Sequence, residues 1–126
     1  MLNITEKQKE KFEQFVSEKD VNCSLYFNIG PFQTYVRKTI KIINGQKKHV
    51  ICRANTTNKK RNFKLKTFKR SGLYRLLDDY MTVLAKKYGY DGIEVECVIN
   101  QHLQSKMHTY GYVCYDESAK SYWESF

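Results

Sequence analysis

Carboxylates are missing from the middle of this chain. Between Val21 and Leu77 there is no Asp or Glu, while the same stretch holds fourteen Lys and Arg residues. The flanks are mildly acidic: Met1 to Asp20 carries four basic and five acidic residues, and Asp78 to Phe126 four and eight. The formal excess of +9 therefore comes from one contiguous piece, and charge asymmetry of that kind speaks about partners. It points to a polyanion.

Other absences narrow the field. One proline and six glycines against 41% hydrophobic residues exclude a collagenous or low-complexity chain and leave a globular one. No apolar run reaches the length of a membrane span, and charged residues follow directly on Met1–Thr5, so neither a span nor a secretory leader is expected. Histidine occurs three times, at His49, His102 and His108, and there is neither a Gly-x-Ser-x-Gly nor a Gly-rich phosphate loop. No catalytic signature remains. Cys23, Cys52, Cys97 and Cys114 lie far apart with no Cys-x-x-Cys, which fits a reducing, cytoplasmic setting and gives no reason to expect zinc or any other cofactor. Cys23 and Cys97 share strand faces with apolar residues and read as core.

At 126 residues the chain has the size of a single domain spanning 1–126. Thr5 to Gln8 has the form of a capping box, and Phe12, Phe15 and Val16 follow at one-face helical spacing, predicting a helix from about Glu6 to Lys19. From Cys23 the period changes to two. Cys23 to Ile29 reads as a strand ended by Gly30-Pro31, and Thr34 to Ile43 as a second strand ended by Asn44-Gly45, the strongest short hairpin signal. Lys48 to Ala54 and Asn62 to Phe68 complete an expected four-strand antiparallel meander. Ser71 then opens the firmest helical pattern, Leu73, Leu76, Leu77, Tyr80, Met81, Leu84 and Tyr88, closed by Gly89. A strand at Ile93 to Ile99, a polar loop with His102 and His108, a strand at Tyr110 to Tyr115 and a short helix capped by Asp116 and carrying Tyr122, Trp123 and Phe126 follow. The expectation is an α+β fold, a mostly antiparallel sheet of meander plus later hairpin with helices packed on one face.

In such a fold the apolar residues of the meander face the helices. Tyr35, Arg37, Lys41, Lys64 and Lys66 then project from the other side as a basic strip containing an aromatic ring. Lys59, Lys60 and Arg61 cap a turn beside it. A strip of this kind neutralises phosphates and releases counterions, and aromatics stack bases regardless of sequence. Lys47, Lys48, Arg53, Lys69 and Arg70 rank second. Among the carboxylates, Asp78 and Asp79 belong to the polar side of their helix and Glu94 and Glu96 to the solvent side of a strand, so no metal nuclease site is expected from them.

Tyr110-Gly111-Tyr112-Val113-Cys114-Tyr115 fits the last six positions of the octamer of the RNA-recognition motif, although His108-Thr109 stands where a basic residue and Gly belong. With the preceding strand, helix and strand, this half resembles that motif in outline, and the resemblance implies that Tyr110 and Tyr112 stack bases on a sheet face. The expected function is non-enzymatic nucleic-acid binding, to DNA or RNA, through Tyr35, Arg37, Lys41, Lys59, Lys60, Arg61, Lys64, Lys66, Tyr110 and Tyr112. The alternative is an inhibitor or adaptor of the phage or mobile-element type, whose composition the chain resembles. Its basic face would dock on an acidic protein surface of a host nuclease or nucleoprotein complex. A homodimer through an exposed strand edge is a further expectation; a membrane partner is not.

Overall fold

The computed structural model describes residues 3–21, 23–58, 73–96, 98 and 101–126. Among these, three helices and six strands alternate in the order α1 (Glu6–Ser17), β1 (Cys23–Ile29), β2 (Phe32–Ile43), β3 (Gln46–Asn58), α2 (Leu73–Lys87), β4 (Gly92–Val95), α3 (Gln101–Met107), β5 (Val113–Asp116) and β6 (Ser121–Ser125). The strands form one sheet in the order β1-β2-β3-β4-β6-β5. Every neighbouring pair is antiparallel except β3 with β4. The α+β class and the mostly antiparallel sheet are as the residue pattern predicts.

Local chemistry explains the first half. The Thr5 hydroxyl accepts from the Gln8 amide at 3.1 Å and the Gln8 side chain accepts from the Thr5 amide at 3.2 Å, which satisfies two of the helix's orphan donors. Phe12, Phe15 and Val16 are buried, and the rings of Phe12 and Phe15 each lie 5.0 Å from that of Phe27 on β1. Asn44 and Gly45 take φ of 52° and 81°, the double left-handed turn that joins twisted strands with two residues. Gly89, at φ 77°, follows the end of α2.

The second half departs from expectation. β4 lies parallel to β3, with Cys52 opposite Glu94, and parallel neighbours need a crossover, which here contains α2. All four residues of β4 are buried, since it is an interior strand. Residues 101–107 form a helix where a polar loop was expected: Leu103 and Met107, four apart, pack on the core, and the Gln104 amide donates to the Val98 carbonyl at 2.6 Å. The terminal segment is a β-hairpin and not a helix. The Asp116 carboxylate accepts from the Ala119 amide and the Ser118 hydroxyl, so its capping chemistry closes a turn, with Lys120 at φ 54°. Tyr122 then joins the large core cluster and Trp123 a second cluster with Ile43, Val50 and Cys52, the alternation of a strand. The expected strand from Asn62 to Phe68 lies outside the described residues.

The large core unites Phe12, Phe15 and Val16 of α1 with Phe27, Ile29, Phe32, Val36 and Ile51 of the sheet, with Tyr74, Leu77, Met81 and Leu84 of α2, and with Ile93 and Val95. Ile40 and Ile42, expected beside Val36 in the core, are exposed, because β1 pairs with β2 only as far as Lys38. Cys23, expected in the core, sits at its rim with its thiol donating to the Asp20 carboxylate. Cys97 lies outside the described residues. No described helix is long and apolar enough to cross a membrane.

Candidate nucleic-acid interface

Strand register decides where the cations go. One row of cross-strand partners runs Ser24, Arg37, Cys52, Glu94, Trp123 and Val113, through all six strands. It therefore sets Glu94, with Glu96 two residues on, among the side chains of Arg37 and Lys41. Arg37 donates to both Glu96 carboxylate oxygens at 3.1 Å. The Lys41 ammonium lies 3.0 Å from Glu94 and 2.9 Å from Glu96. Tyr115 donates its hydroxyl to Glu94 as well. Glu94, expected toward solvent, is fully buried. Burial acts to raise the Glu96 carboxyl, but hydrogen bonds from Cys52 and Lys41 and the charges of Lys41 and Arg37 hold it below its ordinary value.

The same neighbourhood accounts for Cys52. Its sulfur and the carboxylates of Glu94 and Glu96 come within 4.8 Å of one another, the one spacing suited to a metal among the described residues. Burial, followed by the charge of Glu94, pushes the Cys52 thiol far up. Arg37 and Lys41 already neutralise both carboxylates, so a divalent cation would have to displace them. Glu94 and Glu96 are the acidic half of an ion-pair network, with the Cys52 thiol beside them.

Two more cations of the stretch are wholly internal. Lys38, 1% exposed, directs its ammonium to the Phe15 carbonyl at 2.8 Å, the Glu18 carbonyl and the Asp20 carboxylate at 2.8 Å. It caps the carboxyl end of α1, whose own last turn has no basic residue. Arg53, 0% exposed, pairs with Asp78, which also accepts from the Tyr112 hydroxyl at 2.7 Å. Asp78, expected on the polar side of its helix, sits beside Leu77 and Met81 on the buried side.

The expected site residues are thus divided. Arg37 and Lys41 share a face with Tyr35 and are ion-paired. Tyr35 is the cross-strand partner of Tyr26, their ring centroids 5.0 Å apart. Tyr112 is a core residue, 1% exposed. Tyr110 is half-buried, stacked at 6.4 Å on Tyr74 with the Arg75 guanidinium 5.2 Å above it. Both precede β5 instead of standing on it, so the outline of the RNA-recognition motif is not reproduced. Lys59, Lys60, Arg61, Lys64 and Lys66 lie outside the described residues.

The residues missed in the sequence are the partners: Glu94 and Glu96 as counter-ions, and Tyr26 as the ring beside Tyr35. Alternation alone carried the signal for Tyr26, which stands between the apolar Leu25 and Phe27. No protein-family model matches the chain, and no curated protein or solved structure is significantly similar to it.

Proposed function

We propose that this chain is a non-enzymatic, cytoplasmic nucleic-acid-binding protein that holds the phosphate backbone through the cations of its acid-free stretch, chiefly those of the run from Lys59 to Arg70. One observation supports this reading. Arg37, Lys38, Lys41 and Arg53 meet carboxylates from the acidic flanks, whereas Lys59 to Arg70 places seven Lys and Arg in twelve residues with no acid in the run. Within the described part of the stretch, Lys47, Lys48 and Arg75 have no carboxylate partner. A surface that is merely solvated mixes charge signs; a run that excludes one sign suits phosphates. The phosphate contacts are assigned to Lys59, Lys60, Arg61, Lys64 and Lys66, with Arg37 and Lys41 as supports of the sheet.

The test is fluorescence anisotropy with labelled single-stranded RNA, single-stranded DNA and duplex DNA at about 50 and 200 mM salt, a range over which several phosphate contacts cost orders of magnitude in affinity. Salt-steep binding that Lys60→Glu with Lys64→Glu abolishes is the expected result. No binding at the lower salt refutes the proposal.

Docking on an acidic protein has one observation in its favour. β2 continues past its last pairing with β1 at Lys38, and along that uncovered edge Ile40 and Ile42 are 52% and 69% exposed. An edge of that kind accepts an added strand, and Lys47 and Lys48 beside it favour an acidic one. Such binding would resist salt far better than phosphate binding.

A further inference from the structure

We infer that β1 and β2 present a stacking platform for unpaired bases, built on Tyr26 and Tyr35, so that the polyanion is a single-stranded nucleic acid; this rests on the phosphate-binding function proposed above. Tyr26 and Tyr35 are direct cross-strand partners with centroids 5.0 Å apart and planes inclined at 56°. A cross-strand aromatic pair stabilises a hairpin, but that role does not need the outer ring bare. Tyr26 is 54% exposed, on an edge strand, on the side away from the buried Phe27 and Ile29. Among the described residues its one ring contact is with Tyr35, and more than half of the residue is open to solvent.

The neighbours suit a base. Asn28 and Gln33, the cross-strand partners two residues further along, share the face of the two tyrosines, and Asn28 is exposed while Gln33 is half-buried. Carboxamides offer both a donor and an acceptor to a base edge. No residue of β1, β2 or β3 carries a negative charge. Asn58, the last residue of β3, is the Cα partner of Phe32 at the start of β2, so β3 ends beside the Asn28–Gln33 pair, and in sequence the acid-free basic run begins directly after it. Bases in a duplex are already stacked on each other and show only their edges, so a ring platform selects single strands.

Anisotropy titrations at one fixed low salt decide this, with labelled oligonucleotides of about ten nucleotides: single-stranded RNA, single-stranded DNA, an abasic strand of equal length and a duplex. Tyr26→Ala should weaken single-strand binding by roughly 5- to 100-fold, the equivalent of one stacked base. Abasic binding and the salt slope should not change, and Tyr26→Phe should keep wild-type affinity. The RNA and DNA arms tell which strand is preferred. Wild-type protein that binds the abasic strand or the duplex as tightly as single strands overturns the inference, as does a folded Tyr26→Ala protein of unchanged affinity. If that variant does not fold, by its circular-dichroism melt, the abasic arm on wild-type protein decides. Failure to bind any of the four probes would instead refute the parent function.

Discussion

The Arg53–Asp78 pair links β3 to α2 through the middle of the core, and its removal has a size that can be worked out. The Arg53 side chain is 0% and that of Asp78 5% exposed, so neither charge has water to fall back on. Asp78→Asn keeps the shape of the side chain and removes its charge, which leaves a buried guanidinium without compensation. Breaking a buried pair from one side costs about 3–5 kcal/mol, a large part of the roughly 5–15 kcal/mol that holds a domain together. At about 4 °C per kcal/mol for a domain of this size, the melting temperature should fall by about 12–20 °C. Urea and thermal denaturation followed by far-UV circular dichroism measure this. The loss belongs to the orphaned charge and not to the missing attraction, so a second variant separates the two. Arg53→Met with Asp78→Leu and Tyr112→Phe removes the pair together with the hydroxyl that donates to it, and it should recover most of the stability. The reasoning fails if Asp78→Asn stays within about 1 kcal/mol of wild type, or if the triple variant is no more stable than the single one.

Lys38→Met should cost about 1.5–3 kcal/mol, the worth of hydrogen bonds made by a charged group, with the loss concentrated in α1, since the Phe15 and Glu18 carbonyls lose their donor; amide exchange in α1 relative to α2 reports it. Acid should act through Asp20, whose carboxyl is held at about 2 by hydrogen bonds from the Cys23 thiol and the Lys38 ammonium. Because its folded value lies below the ordinary 3.8, the unfolded chain takes the proton first. The contribution of Asp20 is therefore complete above pH 3.8 and lost as pH falls through about 2. Acid titration of Asp20→Asn beside wild type should show a shallower loss across that window, and an identical profile would exclude the linkage.

How far the residues alone foretold this fold depends on the range of the interactions. The Thr5–Gln8 box, the Asn44-Gly45 turn and the helical stripe of Leu77, Met81 and Leu84 act within a few residues and stand where the pattern put them, whereas Leu76 of the same stripe is exposed. What stayed hidden acts across the chain. Nothing near Glu94 says that β4 will lie parallel to β3 and meet Arg37 and Lys41. Asp116 was legible as a residue that collects backbone donors, but the same chemistry serves a helix cap and a hairpin turn, and the flanking Tyr122 and Trp123 fit either until both sheet faces are known to be buried there. Of the candidate site, Tyr35, Arg37 and Lys41 were rightly placed on one face, whereas the counter-ions that neutralise the last two were not visible.

Segregation of charge along a chain can instruct folding as well as binding. Asp20, Asp78, Glu94 and Glu96 all lie outside the acid-free stretch, and each meets one of its cations. Alternation then makes the pairing exacting: a one-residue slip of β4 would turn Glu94 into the apolar core and Ile93 out of it, away from Arg37 and Lys41. The acids are absent from the stretch partly because they must arrive from elsewhere to fix its neighbours. This bounds the binding that the stretch can perform. A single strand held by all fourteen cations would show a salt slope near −10, whereas the seven between Lys59 and Arg70 give about −5, at roughly 0.7 per phosphate neutralised. The four cations already committed to the fold's own carboxylates lower the ceiling from fourteen to ten, a slope of about −7, and the run alone sets the smaller value.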